Sequence, residues 1–593
     1  MPVIAGVYAV LVWLAASYKT EHQGLDIHLY WSEMEKTTAW EIKMNAWQTH
    51  QISNQVDELQ DYNVFESDQI LDEILNRYGS QDQQKLRDFG ERIGSKQYYE
   101  YAELANRHTP ELHSFDARGR RIDYLEFHPA WHKWMGLNRQ YAVHAHPFIE
   151  AKSPSKWVDW AARFYLSGQV ECGNLCPNAM TLGSIPLIQR EAHLWEQLGE
   201  KLLSCEYDER DLPISQKKSI WLGMGMTEKQ GGSDVRANET FAVPVEKSGR
   251  GQAYLITGHK WFFSAPMCDA HLVVAKTEQE SLACFFVPRF LQDGSKNAVN
   301  VQRLKDKVGN RSNSSSEVEF QNAWGIMIGE PGRGIPTIIE MANYTRLTCS
   351  VGSSAMLRQA LVQCIAYTRQ RKAFGKNLAE QPLMRAVLSD LALESEAATQ
   401  LSFYLAHCYE QDDALSVAWK RIMTPAAKFW ICKRTVELSG EMMEVFGGNG
   451  YVETGILARI FKEAPVNTIW EGSGNVMCLD VLRAISRDRE SIEVLFQSFA
   501  EVAALEPILQ NELQQLFKLF SASSADDLQF MARSLVSRLV ILAQAILLKQ
   551  YAPSYVSDAF IHTRYTAFHG RVVGMLDTKS VDVERLLQRA YAA

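Results

Sequence analysis

The sequence predicts an α+β protein, mainly α, that runs as an N-terminal helical domain, a β domain, a helical bundle and an extra helical domain. Three observations predict it. Apolar residues recur at three- and four-residue spacing from about Asp68 to Ser204 and again after Gly334. Between about Trp221 and Gly334 the pattern changes to short β-rich runs parted by turn signals. A chain of 593 residues also exceeds what one hydrophobic core organises. The expected divisions are 1–43, 44–218, 219–334, 335–486 and 487–593.

Residues 1–43 read as a leader or a mis-assigned start. Pro2 to Tyr18 carries no charged side chain, yet it is shorter than the roughly 20 residues a membrane span needs. It also lacks the Lys/Arg opening of a secretion signal. Met44 begins MNAWQTHQISNQ, which looks like a natural start; the other reading is a weak anchor, with Lys19 as the basic flank that keeps the rest cytoplasmic. The segments DQILDEILNRY and HLWEQLGEKLL then carry the helical repeat. The runs QAYLITG, AHLVVAKT, LACFFVP and SSEVEF follow as strands. GSSAMLRQALVQCIAYTRQRKAF reads as an amphipathic helix with its basic residues near the C-terminal end, where the helix dipole favours them. Further helices are expected over about 382–410 and 414–446, the last ending at Gly447-Gly448. EPILQNELQQLFKLF and LVSRLVILAQAILLKQ continue the helical pattern beyond Arg487.

Composition narrows the function classes. Hydrophobic residues at 46% and charged residues at 22% suit a soluble globular protein. A formal charge of −9 gives no overall pull towards nucleic acid or an acidic membrane face. Cys172 and Cys176 are the nearest of ten cysteines, and no His or Cys pair follows them at a zinc-site interval. They read as reduced thiols in a reducing compartment, and no metal site is expected.

Four segments hold the candidate chemistry. In GMGMTEKQGGSDV (223–235), glycines let backbone approach a ligand, while Thr227 and Ser233 offer hydroxyls beside N–H groups suited to an anion. A tight turn is the plainer reading. GHKWFFS (258–264) sets three aromatics before Ser264, either a flat wall with one polar handle or a core strand. In RQRKAFG (369–375), Arg371 suits a pyrophosphate or a solvated helix end. In GGNGYVETG and APVNTIWEGSGN (447–475), Glu471 sits between Trp470 and Gly472. Desolvation there would raise its pKa towards that of a working base; a surface glutamate is the alternative.

Taken together with RLKDKVGNRSN, TPAAKFWICKR and PVNTIWEGSGNVMCLDVLR, these segments resemble the acyl-CoA dehydrogenase family, and most closely its AidB-type alkylation-response flavoproteins. The resemblance runs from about Trp47 to the C-terminus. It implies a helical domain, a β domain, a four-helix bundle and an extra helical domain, with FAD between β domain and bundle in a homotetramer. By motif, Met226, Thr227, Ser233, Phe262, Phe263, Ser264, Ile469, Trp470 and Asn475 would meet the cofactor. Arg371, Phe374, Gly447 and Gly448 would reach the FAD of a neighbouring subunit, and Glu471 would be the catalytic base acting on an acyl-CoA. Glu444 stands where the wider family usually has Gln, which touches the cross-subunit contacts.

The AidB type is further associated with the DNA alkylation response, double-stranded DNA binding through its extra domain and weak dehydrogenase activity; the alternative is a metabolic acyl-CoA dehydrogenase with no DNA role. From Arg487 to Ala593 there are eleven Lys/Arg and twelve Asp/Glu. A DNA face would therefore need segregated charge, for instance Arg564, Arg571, Arg585 and Arg589 on one side. A cytoplasmic location and no stable membrane association are expected.

Overall fold

The computed structural model describes residues 52–278, 281–566 and 581–591. The readings of residues 1–43 and of Arg571 lie outside them. Eight helices open the described chain: α1 (Gln69–Arg77), α2 (Gln83–Gly94), α3 (Lys96–Arg107), α4 (Pro129–Gln140), α5 (His146–Ile149), α6 (Lys156–Val170), α7 (Leu175–Gln189) and α8 (Ala192–Leu203). Between α3 and α4 the chain makes a hairpin of β1 (Glu111–Phe115) and β2 (Arg121–Glu126). The helical reading of 68–204 did not anticipate it. The turn Asp116–Gly119 closes the hairpin through the Asp116 carboxylate, which accepts from Arg118 and Arg120 N–H groups.

Seven strands form the central sheet: β3 (Leu222–Thr227), β4 (Phe241–Pro244), β5 (Ala253–Ser264), β6 (Ala270–Lys276), β7 (Leu282–Pro288), β8 (Val299–Leu304) and β9 (Ser315–Ile328). The ladders β6–β7, β7–β9, β9–β5, β5–β3 and β3–β6 return on themselves, so the sheet closes. β7 is buried at every position and β6 at all but its last, which explains their continuous apolar runs.

The chain then enters α9 (Gly334–Gln370), the 37-residue axis of the protein. Here the amphipathic reading is corrected. Every residue from Thr345 to Thr368 is buried, because α9 packs on α6, α7, α10 (Pro382–Cys408) and α12 (Thr424–Val445). Its hydroxyls are satisfied locally: Ser354 donates to the Ser350 carbonyl at 2.9 Å and Thr368 to that of Cys364 at 2.8 Å. A short hairpin, β10 (Lys372–Ala373) and β11 (Lys376–Asn377), follows α9, and α11 (Ala414–Ala418) precedes α12. α13 (Ile456–Asn467) and α14 (Gly474–Arg487) complete this region.

The tail contributes α15 (Arg489–Ala503), α16 (Pro507–Ala522), α17 (Ala525–Tyr551), α18 (Ser554–Ile561) and α19 (Val583–Ala590). α17 is long and apolar enough to cross a membrane, but 67% of its most apolar window is buried within the protein. The tail arginines do not form one exposed face. Arg564 donates to Asp390 at 2.6 Å and Glu394 at 2.8 Å. Burial pushes the Glu394 carboxyl up, but Arg434 and Arg564 hold it down at about 2. Arg589 is buried and pairs with Glu396 at 3.0 Å, as well as with Glu73 of α1. Of the described members of the expected DNA face, only Arg585 is exposed. Carboxylates on buried helix faces attract the other two inward.

Arg358 of α9 donates to the Ser67 carbonyl at 2.5 Å and to that of Ala590, so one buried guanidinium ties N-terminal domain, bundle and C-terminus. Arg589→Met leaves Glu396 and Glu73 without their cation. It is expected to cost about 3–5 kcal/mol, read as a lower thermal unfolding midpoint. Lys518→Met, on the exposed side of α16, should stay within about 0.5 kcal/mol of the parent. Equal midpoints for both variants would contradict the anchoring role.

Candidate active site

Glu471 follows the C-terminal turns of α13, where Ile469 and Trp470 N–H groups still donate to the Val466 carbonyl. The chain then turns through a left-handed residue, Glu471 itself, with φ 60°. Such a conformation disfavours a side-chain-bearing residue by roughly 1–2 kcal/mol, and three buried side chains hold it. Thr345 donates to Glu471 Oε2 at 2.6 Å. Arg346, the next residue of α9, donates from Nε to the Glu471 carbonyl at 3.2 Å and from Nη1 to Asp480 at 2.8 Å. Lys428 of α12 donates to the Gly472 carbonyl. Gly472 has φ 110°, a conformation that side-chain-bearing residues rarely adopt, so glycine is favoured there.

Burial raises the Glu471 carboxyl above its ordinary value, while the Thr345 bond and the charges of Arg346 and Lys428 draw it back. Its backbone N–H finds no acceptor among the described residues. The turn thus presents a carboxylate and a free donor at one place.

Beside it lies a narrow cavity between α6, α7, α9 and α13, lined by Phe164, Leu175, Cys176, Cys349, Gly352 and Trp470 among others. Trp470 is steadied by donation from Nε1 to Asn467 Oδ1 at 2.9 Å. Cys176 of α7 is buried in the same cavity, and burial pushes its thiol up to about 12.

On the β side, Thr227 stands opposite Phe262 in the β3–β5 ladder, next to Met226. Met226 and Trp470 pack against the same apolar cluster. Phe262 is 51% exposed and Ile469 66% exposed, two apolar side chains left facing outward. Gly232 approaches Thr227 so closely that a Cβ would lie 2.4 Å from its hydroxyl oxygen. Ser233 is exposed on the same loop. Phe263 is the exception: it is fully buried and packs on His271 at 4.2 Å, so its side chain cannot line a cofactor face. Strand alternation turns it inward when Phe262 and Ser264 face the other way.

Asn475 lies exposed at the start of α14, where Arg533 of α17 donates to it at 3.4 Å. Arg371 and Phe374 stand at the far end of α9. Twenty-six residues separate Thr345 from Arg371, about 39 Å of helix axis, so one chain cannot bring them to Glu471. Phe374 is 99% exposed, and Gly447 and Gly448 face open space.

Sequence reasoning passed over Thr345, Arg346 and Lys428. The available signal was charge inside apolar helix, Arg346 in YTRLTCS and Lys428 in PAAKFW. It also gave no role to KVGNRSN. There the Asn310 N–H and Nδ2 donate to Glu463, Ser312 donates to Glu171 at 2.6 Å, and Lys307 donates to the Asn313 carbonyl at 2.6 Å. This loop fastens the β domain to α6 and α13. Burial pushes the Glu463 carboxyl up to about 7.

Comparison with known proteins accounts for the arrangement. Residues 54–209 match the Adaptive response protein AidB N-terminal domain, 223–323 the acyl-CoA dehydrogenase middle domain, and 332–486 the acyl-CoA dehydrogenase C-terminal domain. The chain is 43% identical over 517 residues to the putative acyl-CoA dehydrogenase AidB of Escherichia coli K12, covering 87% of this chain and 94% of that one. Among solved structures, the Bd2924 apo-form is 28% identical with a TM-score of 0.77, covering 84% of this chain and 99% of its own. ACDH-11 of Caenorhabditis elegans, solved in complex with C11-CoA, is 24% identical with a TM-score of 0.76, covering 91% and 93%; at that identity the likeness is one of fold.

Thr345→Val removes the hydroxyl that steadies ionised Glu471, so its carboxyl should titrate at higher pH than in the parent. The protonated carboxyl band in infrared difference spectra, assigned with Glu471→Gln, reads this directly. An unchanged or lower midpoint would contradict the role given to Thr345.

Proposed function

Because the chain belongs to the acyl-CoA dehydrogenase family, we propose that it is an FAD-dependent oxidoreductase that desaturates an acyl-CoA thioester, with Glu471 as the base. The observation that carries this reading is the left-handed turn at Glu471, which sets a desolvated carboxylate and a free N–H beside an apolar cavity.

The residues on the β side suit a flat, polar-edged cofactor. Exposed Phe262 offers an apolar face, Thr227 and Ser264 offer hydroxyls, and Gly232 lets backbone come close where a Cβ would clash. FAD, when bound there, supplies the acceptor for the hydride lost from the β-carbon. The protein's own groups then do the rest. Phe164, Leu175 and Trp470 give the turn an apolar surround that keeps water from the carboxylate. The Glu471 N–H donates to the thioester carbonyl, which favours charge developing on that oxygen. Glu471 Oε removes the α-proton, and burial raises its carboxyl above the ordinary value, in the direction a base needs.

A homotetramer belongs to the same reading. Phe374, Gly447 and Gly448 are exposed, and Arg371 shares their end of the bundle, as residues that serve a second copy would be. All ten cysteines are free, which suits a reducing cytoplasm.

A second reading, favoured by the match to the Adaptive response protein AidB N-terminal domain, is a role in the DNA alkylation response with double-stranded DNA binding. With Arg564 and Arg589 committed to internal pairs, the DNA-binding charge would come from other residues.

Anaerobic mixing of the flavin-loaded protein with acyl-CoA esters of graded length should bleach the flavin with at least one ester. Glu471→Gln should slow that bleaching by about two to four orders of magnitude with flavin retained. Bleaching at the parent rate would remove Glu471 as the base. For the second reading, the full chain should retard duplex DNA at low salt and release it steeply as salt rises. Absence of retardation at low salt would remove it.

A further inference from the structure

Among the described residues, Asp82, His146 and Asp159 are the one group of three His, Cys, Asp or Glu side chains whose ligand atoms all lie within 4.8 Å of one another. None of them lines the cavity beside Glu471. They come from three places in the N-terminal domain: Asp82 precedes α2, His146 opens α5 and Asp159 lies in the first turn of α6. His146 and Asp159 are each 2% exposed. The cysteine spacing predicts no metal site, and this group uses no cysteine.

His146 Nε2 is the unexplained atom. It is buried 3.5 Å from Asp82 Oδ2 and makes no hydrogen bond among the described residues. Two helix starts also turn their usual caps to this place. Asp82 is the N-cap of α2 and Ser155 that of α6, yet neither side chain caps its helix. Ser155 donates instead to Asp159 Oδ2 at 2.8 Å, Ser80 donates to Asp159 Oδ1, and Arg163 donates to Asp82 Oδ2 at 2.6 Å. An ionised carboxylate accepts at about four sites, so these bonds orient both groups and leave room for a further ligand. Two largely enclosed carboxylates thus face one buried cation, Arg163; the Lys85 side chain beside Asp82 is 61% exposed.

We propose that Asp82, His146 and Asp159 bind one divalent transition-metal ion, for which Zn²⁺ is the best-suited cation. An imidazole nitrogen with its lone pair unused is a good Zn²⁺ ligand, and carboxylate oxygens complete the set. Mg²⁺ and Ca²⁺ favour oxygen alone, so the imidazole selects against them. A water molecule would satisfy Nε2 but leave the unmatched negative charge; a dication answers both. At metal–ligand distances of about 2.0–2.2 Å, the ion draws the three ligand atoms together. Asp82, whose side chain is the one partly open to solvent, makes that movement and marks the way in. Ser80, Ser155 and Arg163 are then the outer partners that orient the ligating carboxylates. The ion cross-links the starts of α2, α5 and α6, a structural role that does not rest on the acyl-thioester reading.

The test is equilibrium titration of the full chain, freed of metal by a chelator and of any affinity tag, with Zn²⁺ and with Mg²⁺ as the oxygen-preferring control. One Zn²⁺ per chain is expected, with a thermal unfolding midpoint that climbs as free Zn²⁺ rises and ignores equal Mg²⁺. Ser155→Ala, which keeps all three ligands, should weaken binding by about 10–100-fold. His146→Gln and Asp159→Asn, which remove a ligand at little change in size, should each weaken it by more than about 100-fold. X-ray absorption of the Zn²⁺-loaded parent needs no variant and should show nitrogen and oxygen neighbours only. No Zn²⁺ bound by the parent, a sulfur neighbour at about 2.3 Å, or binding as tight in His146→Gln as in the parent would each overturn the inference.

Discussion

Arg346 and Lys428 carry two positive charges into the protein interior and direct them at the carbonyls of consecutive residues, Glu471 and Gly472. Hydrogen bonds from charged donors contribute about 1.5–3 kcal/mol each, enough to outweigh the left-handed backbone at Glu471. Without them, the turn would relax to an ordinary helix end and the carboxylate would swing to solvent. Asp480 completes the arrangement by neutralising Arg346 from α14, so the turn and the helix that follows it are bound to the same group. The position of the Glu471 carboxylate is thus a property of α9, α12 and α14 together.

The β domain depends on similar buried charge. Lys260 and Glu228 form a fully buried pair at 2.6 Å behind the strand that presents Phe262 and Ser264. Burial brings the Lys260 amine down to about 8, and Lys260 holds Glu228 at about 2 although burial opposes it. Glu228 also accepts from the Glu239 N–H at 2.7 Å, which anchors the glycine-rich loop that follows β3. Glu171 and Glu463 then fix the 307–313 loop against the helices, at the boundary between β domain and bundle. Buried ion pairs add little net stability; their effect here is to fix register where the two faces meet.

The order of helices and strands was legible because hydrophobic spacing changes at Trp221 and Gly334, and those changes mark real boundaries between element types. The hairpin at Glu111–Glu126 was not, because its strands are short and half exposed and so carry little apolar alternation. The burial of α9 was hidden by polar residues that look exposed in sequence: Ser354 and Thr368 bond back to their own helix, and Gln359 and Gln363 bond to Tyr62, Tyr99 and Leu59. At the site, the desolvation of Glu471 was legible from its aromatic and glycine neighbours. Thr345 and Lys428 were not, since nothing local reveals that residues 126 and 43 positions away converge on one turn. Phe263 was misread because adjacent aromatics on a strand point to opposite faces. The tail arginines misled for a related reason: charge alone does not disclose that Glu394 and Glu396 wait on a buried helix.

In the proposed reaction the Glu471 carboxylate removes the α-proton of a bound thioester. Deuterium wash-in measures that act without any redox step. A 3-thia-acyl-CoA, whose β-position bears sulfur and no hydrogen, would be held in deuterated buffer with the flavin-loaded protein and its α-position followed by NMR. Deuterium is expected to enter the α-position with the parent protein and not with Glu471→Gln. Exchange at the same rate in both, or none in the parent while the ligand is bound, would contradict it.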